Sequence, residues 1–257
     1  MRWKQRGATA DLANGIPALG RDELEYPSRD GRPMGETDTH RDEIVAAIES
    51  LKARYSERDD AYVAGDLFIY YEEGNPKARL APDVFVVFGV PKHRRRVYKL
   101  WEEGVAPCFV LEVSSRSSWL RDFGAKKAIC ERLGVAEYFV FDPEGEYLEP
   151  PLQGFRRLGR DLRAIAADER GGFVSESLGL SLHLEDLHLV LVDVRTGERL
   201  LGPQEEHAAR VAAEVTRDEA VARIRTAEAA RDEARAQARA AEEELARLRA
   251  ELAERKA

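Results

Sequence analysis

The chain has 257 residues, 34% of them charged, with a formal net charge of −8. That length allows one or two domains with a buried core. The acidic balance excludes a general nucleic-acid coat protein, though not a local basic groove. No stretch reaches the roughly 18 apolar residues of a membrane helix, and the N-terminus lacks the apolar core of a secretory signal. A cytoplasmic protein is therefore expected, with no membrane partner. Its two cysteines, Cys108 and Cys130, stand in apolar surroundings and read as small core residues in a reducing compartment.

Residues 1–35 are punctuated by Gly15, Pro17, Gly20, Pro27, Gly31, Pro33 and Gly35, and no period persists. They read as a loosely ordered leader. A helix is expected to start between Thr37 and Thr39, where Thr39 and Asp42 have capping-box spacing. Ile44, Ala47, Ile48, Leu51 and Tyr55 then form one stripe at helical spacing. His40 lies on the same side, as either a packed histidine or a group facing a site.

The stretch from Ala61 to Tyr71 mixes β-branched and aromatic residues and reads as one strand, followed by a turn at Glu72–Pro76. Pro82-Asp83 then heads the apolar run Val84–Phe88, and a second run, Cys108–Leu111, leads to Glu112-Val113-Ser114-Ser115. Between them, residues 91–101 form the most basic stretch. Arg94, Arg95 and Arg96 make it either a solvated loop or a phosphate-contacting flap.

A helix is expected from Ser117 or Ser118 to Gly134, with a serine cap and a terminal glycine. On a 100° wheel, Trp119, Phe123, Ile129, Cys130 and Leu133 share an arc. Lys126 falls within that arc and Lys127 near its edge. A lysine facing the core is costly unless paired. Asp83 and Glu112 are candidate partners, and Asp122, one turn away, is the plainer alternative.

Tyr138–Phe141 reads as a third strand, ending at Asp142-Pro143. The stretch 145–201 reads as strands and turns extending the same sheet antiparallel. Composition changes at Pro203. From Glu205 onward there is no Gly or Pro. Ile224, Ala227, Ala234, Ala238, Ala241, Leu245, Leu248 and Leu252 keep alternating three- and four-residue spacings, with Arg231 interrupting the seam. A long coiled-coil-like helix is expected there, with a stutter near residue 218; it reads either as the seam of a homo-oligomer, the expected assembly, or as a lone helix laced with charge, because an alanine seam buries little area.

Two acids on neighbouring strands and a lysine on the next helix suit metal-assisted phosphodiester hydrolysis. The carboxylates hold the ion, and the lysine adds charge relief or orients water. At these residues the sequence resembles the Uma-type family of restriction-endonuclease-like proteins, within the PD-(D/E)XK nuclease superfamily. The matching residues are Pro82-Asp83, Glu112–Ser115, Asp122 with Lys126, Gly134-Val135, Glu137-Tyr138 and Asp142-Pro143. Tyr26–Ser28, Gly31, Pro33-Met34 and Glu36–His40 also match. The usual lysine position, two residues after the glutamate, holds Ser114, so the resemblance implies that the lysine has moved to Lys126.

The expected fold is α/β: a restriction-endonuclease-like mixed sheet flanked by helices over 36–202, with a C-terminal helix over 203–257. The expected function is a DNA endonuclease using Mg²⁺ or Mn²⁺. Its metal is held by Asp83 and Glu112, Lys126 assists, and His40 and Ser114 are auxiliary. An inactive nuclease-fold DNA-binding or scaffold protein, assembling through its C-terminal helix, is the alternative from a different class. RNA as substrate is a third reading.

Overall fold

The computed structural model describes residues 26–27 and 37–254, with side chains of the final helix described to residue 249. Apart from Tyr26 and Pro27, the expected leader lies outside the described residues. The elements in chain order are α1 (Asp38–Arg54), β1 (Ala61–Ala64), β2 (Ile69–Tyr70), β3 (Arg79–Leu80), β4 (Val84–Phe88), β5 (Tyr98–Lys99), α2 (Leu100–Glu103) and β6 (Phe109–Val113). Then come α3 (Trp119–Arg121), a π-helical turn (Asp122–Lys126), α4 (Lys127–Leu133), β7 (Glu137–Phe141), β8 (Leu152–Leu158) and β9 (Asp161–Ala164). The last are β10 (Phe173–Ser175), β11 (Leu180–Glu185), β12 (His188–Asp193) and α5 (Pro203–Glu254).

Among the described residues, six strands form the main sheet in the order β1-β4-β6-β7-β8-β9. Only β6 and β7 in it are parallel. A parallel pair needs a long crossover, and α3, the π turn and α4 supply it. Strands β4, β6 and β7 are covered on both faces, which is why they read as unbroken apolar runs. Strand alternation sends Val84, Val86, Phe109, Leu111, Phe139 and Phe141 to one face, against Ile44, Ala47 and Leu51 of α1. Phe85, Val87, Val110, Tyr138 and Val140 point to the other, against Cys130 of α4 and Val135. Each such side chain, fully buried, contributes roughly 1.5–3 kcal/mol.

Three expectations are corrected. The cap of α1 is Thr37, whose hydroxyl accepts the His40 N–H at 3.2 Å, rather than Thr39. Residues 61–71 are two strands: β1 stays in the main sheet, and β2 joins a small sheet of order β3-β2-β5. The break falls at Gly65-Asp66, where the chain presses against the Pro82-Asp83 backbone. A Cβ on Gly65 would sit 2.0 Å from Asp83 O, and Asp66 N–H donates to Pro82 O at 3.0 Å. Finally, only β8 and β9 extend the main sheet. Strands β10–β12 form a separate antiparallel sheet, whose Phe173, Leu180 and Leu182 join the core beside α1.

The chain divides into two compact units after Leu200. The second contains α5, 52 residues without a break; Pro203 opens it, where a missing N–H costs nothing, and no Gly or Pro follows to interrupt it. It passes residue 218 as unbroken helix. Its Val211, Val215, Ile224, Leu245 and Leu248 are exposed, while the Leu252 side chain lies outside the described residues. Among the described residues, no helix is long and apolar enough to cross a membrane.

Candidate active site

Asp83 precedes β4 and Glu112 lies in β6, two neighbours in the sheet. Their positions have the same parity as Phe85 and Val110, so both side chains rise from the face covered by α4. Backbone groups lock them together. Asp83 N–H donates to Glu112 Oε2 at 3.2 Å, and Val113 N–H donates to Asp83 Oδ2 at 2.8 Å. Gly65, packed against the Asp83 carbonyl, fixes this corner from outside.

Lys126 enters from the crossover. Its Nζ lies 2.7 Å from Glu112 Oε2, 3.0 Å from Asp122 Oδ1 and 3.8 Å from Asp83 Oδ1. Asp122 begins the π turn that Lys126 ends, a wide turn that brings both residues inward. The Tyr138 hydroxyl donates to the Asp122 carbonyl at 2.5 Å, and the Ser114 hydroxyl donates to Asp122 Oδ2 at 3.3 Å. Lys127 turns elsewhere: its ammonium donates to Leu162 O at 3.0 Å and lies over the Phe155 ring.

Three carboxylates thus share one ammonium in a place largely shielded from solvent, with Asp83 and Lys126 at its slightly exposed edge. Burial pushes the Glu112 carboxyl well above its ordinary range, against the pull of Lys126. It raises Asp83 in the same way, and Asp122 adds to the rise. Burial alone would lower Lys126, but the acids, Glu112 foremost, outweigh it and hold the ammonium above the ordinary lysine range. The cluster remains short of positive charge. Glu112 Oε1 and Asp122 Oδ1 are buried without a hydrogen-bond partner among the described residues, the second having only the ammonium at ion-pair distance.

Those features suit a small hard cation. Among the described residues, no three His, Cys, Asp or Glu side chains are arranged to hold a metal ion. Mg²⁺ needs only one or two carboxylates and keeps several waters, however. Asp83 and Glu112 offer that number of hard oxygen donors, with excess negative charge around them.

The other candidate residues divide. Ser114 is buried and touches Asp122 rather than the strand acids. His40 lies on α1, across the sheet, and its Nε2 donates to the Val113 carbonyl at 2.6 Å, so it fixes the backbone beside Glu112 and not a reacting group. Arg95 corrects the reading of the basic stretch. Its guanidinium makes two bonds to Glu103, at 2.6 and 2.9 Å, lies over the Tyr62 ring, and its side chain is 3% exposed. Arg94 and Arg96 are exposed. Arg94 lines a cleft of about 480 Å³ with Lys52, Lys92, His93, Tyr62 and Gly65, and among the described residues no acidic side chain lines it.

The sequence places Asp122 one turn before Lys126, as a partner for it and as part of the family resemblance. Its spacing was legible, but its complete burial was not, because the wheel assumed a regular α-helix.

A family model described as "Uma2: Putative restriction endonuclease" matches residues 21–187, more than half of the chain. Among solved structures, the chain is similar to one from Anabaena variabilis described as "a putative nuclease belonging to DUF820". The two share 14% identity, over 63% of this chain and 88% of that one, with a TM-score of 0.46. A search of curated proteins finds no match.

Proposed function

We propose that this chain, which belongs to the Uma2 family, hydrolyses DNA phosphodiester bonds at the cluster of Asp83, Glu112 and Lys126. The observation that carries this reading is the convergence of two strand-borne carboxylates and a buried lysine at one place, 29 and 14 residues apart along the chain. Asp83 and Glu112 would hold Mg²⁺ or Mn²⁺, which when bound supplies a water ionised near neutral pH and charge relief on the phosphate. Lys126 is placed to donate to an anionic oxygen at the same point. Ser114 steadies Asp122, and His40 steadies the end of β6. The cleft carrying Arg94 reaches Gly65, which itself touches the Asp83 backbone. Arg94 in the cleft, and the exposed Arg96 two residues on, would contact the phosphates of a polyanion bound there.

The test is a cleavage assay with Mg²⁺ and with Mn²⁺ on several DNA forms and on RNA, with Asp83→Ala as control. Cleavage of DNA by the wild type and not by the variant is the expected result. Cleavage of RNA alone would reassign the substrate. No cleavage of any form would leave a nuclease fold acting as a binding or scaffold protein. The exposed apolar residues of α5 favour self-association as a second feature. Sedimentation of a chain ending at Gly202 should then show a smaller assembly than the full chain.

A further inference from the structure

The Lys126 ammonium occupies the point where the acids converge. Its shortest contact is to Glu112 Oε2, the same oxygen that takes the Asp83 N–H. A divalent cation held by Asp83 and Glu112 would need that oxygen environment, and two cations cannot share it without strong repulsion at low dielectric. Something must therefore become of the lysine when a metal enters.

Asp122 provides the answer. Unlike the other two acids, it is carried by the crossover, four residues before Lys126 and on the same turn. Its position does not depend on Asp83 or Glu112: Ser114 holds the carboxylate and Tyr138 holds the backbone. Its Oδ1 already lies 3.0 Å from the lysine Nζ. The ammonium can leave Glu112 for Asp122 by rotating its terminal side-chain bonds, with the backbone still.

We propose that Lys126 is a displaceable internal cation and that Asp122 is the residue that receives it. In the metal-free protein the lysine lies among the three acids, closest to Glu112, and offsets part of their charge. When a divalent cation takes its place, the lysine withdraws to Asp122 and stays buried, paired and within reach of the reacting phosphate. Asp122 is thus a positioning residue and not a metal ligand. This inference rests on the metal reading of Asp83 and Glu112 given above.

Two consequences differ from what a plain third ligand would give. Removing the lysine removes a competitor, so metal should bind more tightly. Removing the Asp122 charge strands the lysine, either on Glu112 or as an unpaired buried cation beside the metal, so metal should bind more weakly. That second effect acts through the lysine and should vanish when the lysine is absent.

The experiment is isothermal titration calorimetry of the full chain with Mg²⁺ and with Mn²⁺. The proteins are the wild type, Lys126→Met, Asp122→Asn and the double variant, with Lys126→Gln in place of Lys126→Met if the latter does not fold. Circular dichroism of each metal-free protein checks folding. About tenfold tighter binding is expected for the lysine variant, and about tenfold weaker for Asp122→Asn, within the range of couplings between residues in contact. In the lysine-free background, Asp122→Asn should change affinity by less than about twofold. Unchanged or weaker binding by the lysine variant would overturn the displacement. An equal loss from Asp122→Asn in both backgrounds would make Asp122 a direct ligand or a simple field charge, and the hand-over would be wrong while the metal reading stood. Failure of all the proteins to bind either metal would overturn both.

Discussion

Two glutamates stand on adjacent parallel strands, each almost wholly buried, and their surroundings are opposite. Glu137 begins β7 on the α1 side of the sheet. Its Oε1 accepts Arg156 Nε–H and Glu176 N–H, both at 2.9 Å, and its Oε2 accepts the Ser175 hydroxyl at 2.5 Å and Ser177 N–H at 3.1 Å. Each oxygen has two donors, and the charge ties the β10 end to the main sheet. Glu112, in β6 on the other face, shares one lysine with two further acids and keeps one oxygen without a hydrogen bond. Burial therefore does not mark a site in this protein. What separates the two residues is whether the burial is compensated. Glu137 is satisfied by its own fold, as is Asp142, whose carboxylate accepts four backbone N–H groups of the turn after β7. Glu112 has unmet capacity for positive charge, which a ligand can supply.

The same isosteric substitution at both places should separate them most widely. Glu137→Gln puts an amide among donors that need an acceptor, whereas Arg156, 30% exposed, keeps Glu176 and the Val174 carbonyl. It should cost roughly 3 kcal/mol, since the Ser175 hydroxyl and the loop N–H groups lose a buried anionic acceptor. Urea denaturation measures this, and a cost under about 1 kcal/mol would mean that the loop donors find other partners. Next in size is Ser175→Ala. It deletes the hydroxyl between Glu137 and the N–H of Leu178, and should cost about 1.5–3 kcal/mol, the range for hydrogen bonds to charged groups.

Glu112→Gln should behave in the reverse sense. It removes one of three mutually repelling acids and leaves Lys126 its contact with Asp122, so stability should shift by less than about 1 kcal/mol or rise. Cleavage should disappear. A loss of stability matching that of Glu137→Gln would show Glu112 to be a structural anchor, and the contrast between the strands would fail.

Much of this was legible in the sequence, for identifiable reasons. Period-two alternation places Asp83 and Glu112 on one face once the apolar runs at 84–88 and 108–111 are taken as neighbouring strands. The stripe Ile44–Tyr55 gives α1, and Gly134 gives the end of α4, at φ 87°. The π turn was not legible. A 100° wheel set Phe123 inward, yet it is 40% exposed and meets the edge of Phe155, while Asp122 is fully buried. Lys126 still points inward, as Cys130 four residues later does, so that assignment survived an error in phase. Arg95 was misread because a charge count cannot see Glu103 closing back on it across β5. The break at Gly65 depends on contact with the Asp83 carbonyl, between segments joined only by the fold.

The smallest effect gives the finest test of the comparison. Ser114 is to Asp122 what Ser175 is to Glu137: a buried hydroxyl donating to a buried carboxylate. The Ser114 bond is long, at 3.3 Å, and Asp122 also has the ammonium at 3.0 Å. Ser114→Ala strands no donor, and the Asp122 carboxylate that loses its hydroxyl keeps the ammonium 3.0 Å away. It should therefore cost about 1 kcal/mol, less than Ser175→Ala. Its distinguishing consequence should appear in metal affinity. An Asp122 carboxylate with less support is a poorer receiver for Lys126, so metal binding should weaken by about two- to threefold, the low end of coupling between neighbouring residues. Ser175→Ala should leave metal affinity unchanged while costing more stability. If both serines instead changed stability by the same amount and neither changed metal affinity, the two faces of the sheet would be energetically alike, and unmet charge would not distinguish Glu112 from Glu137.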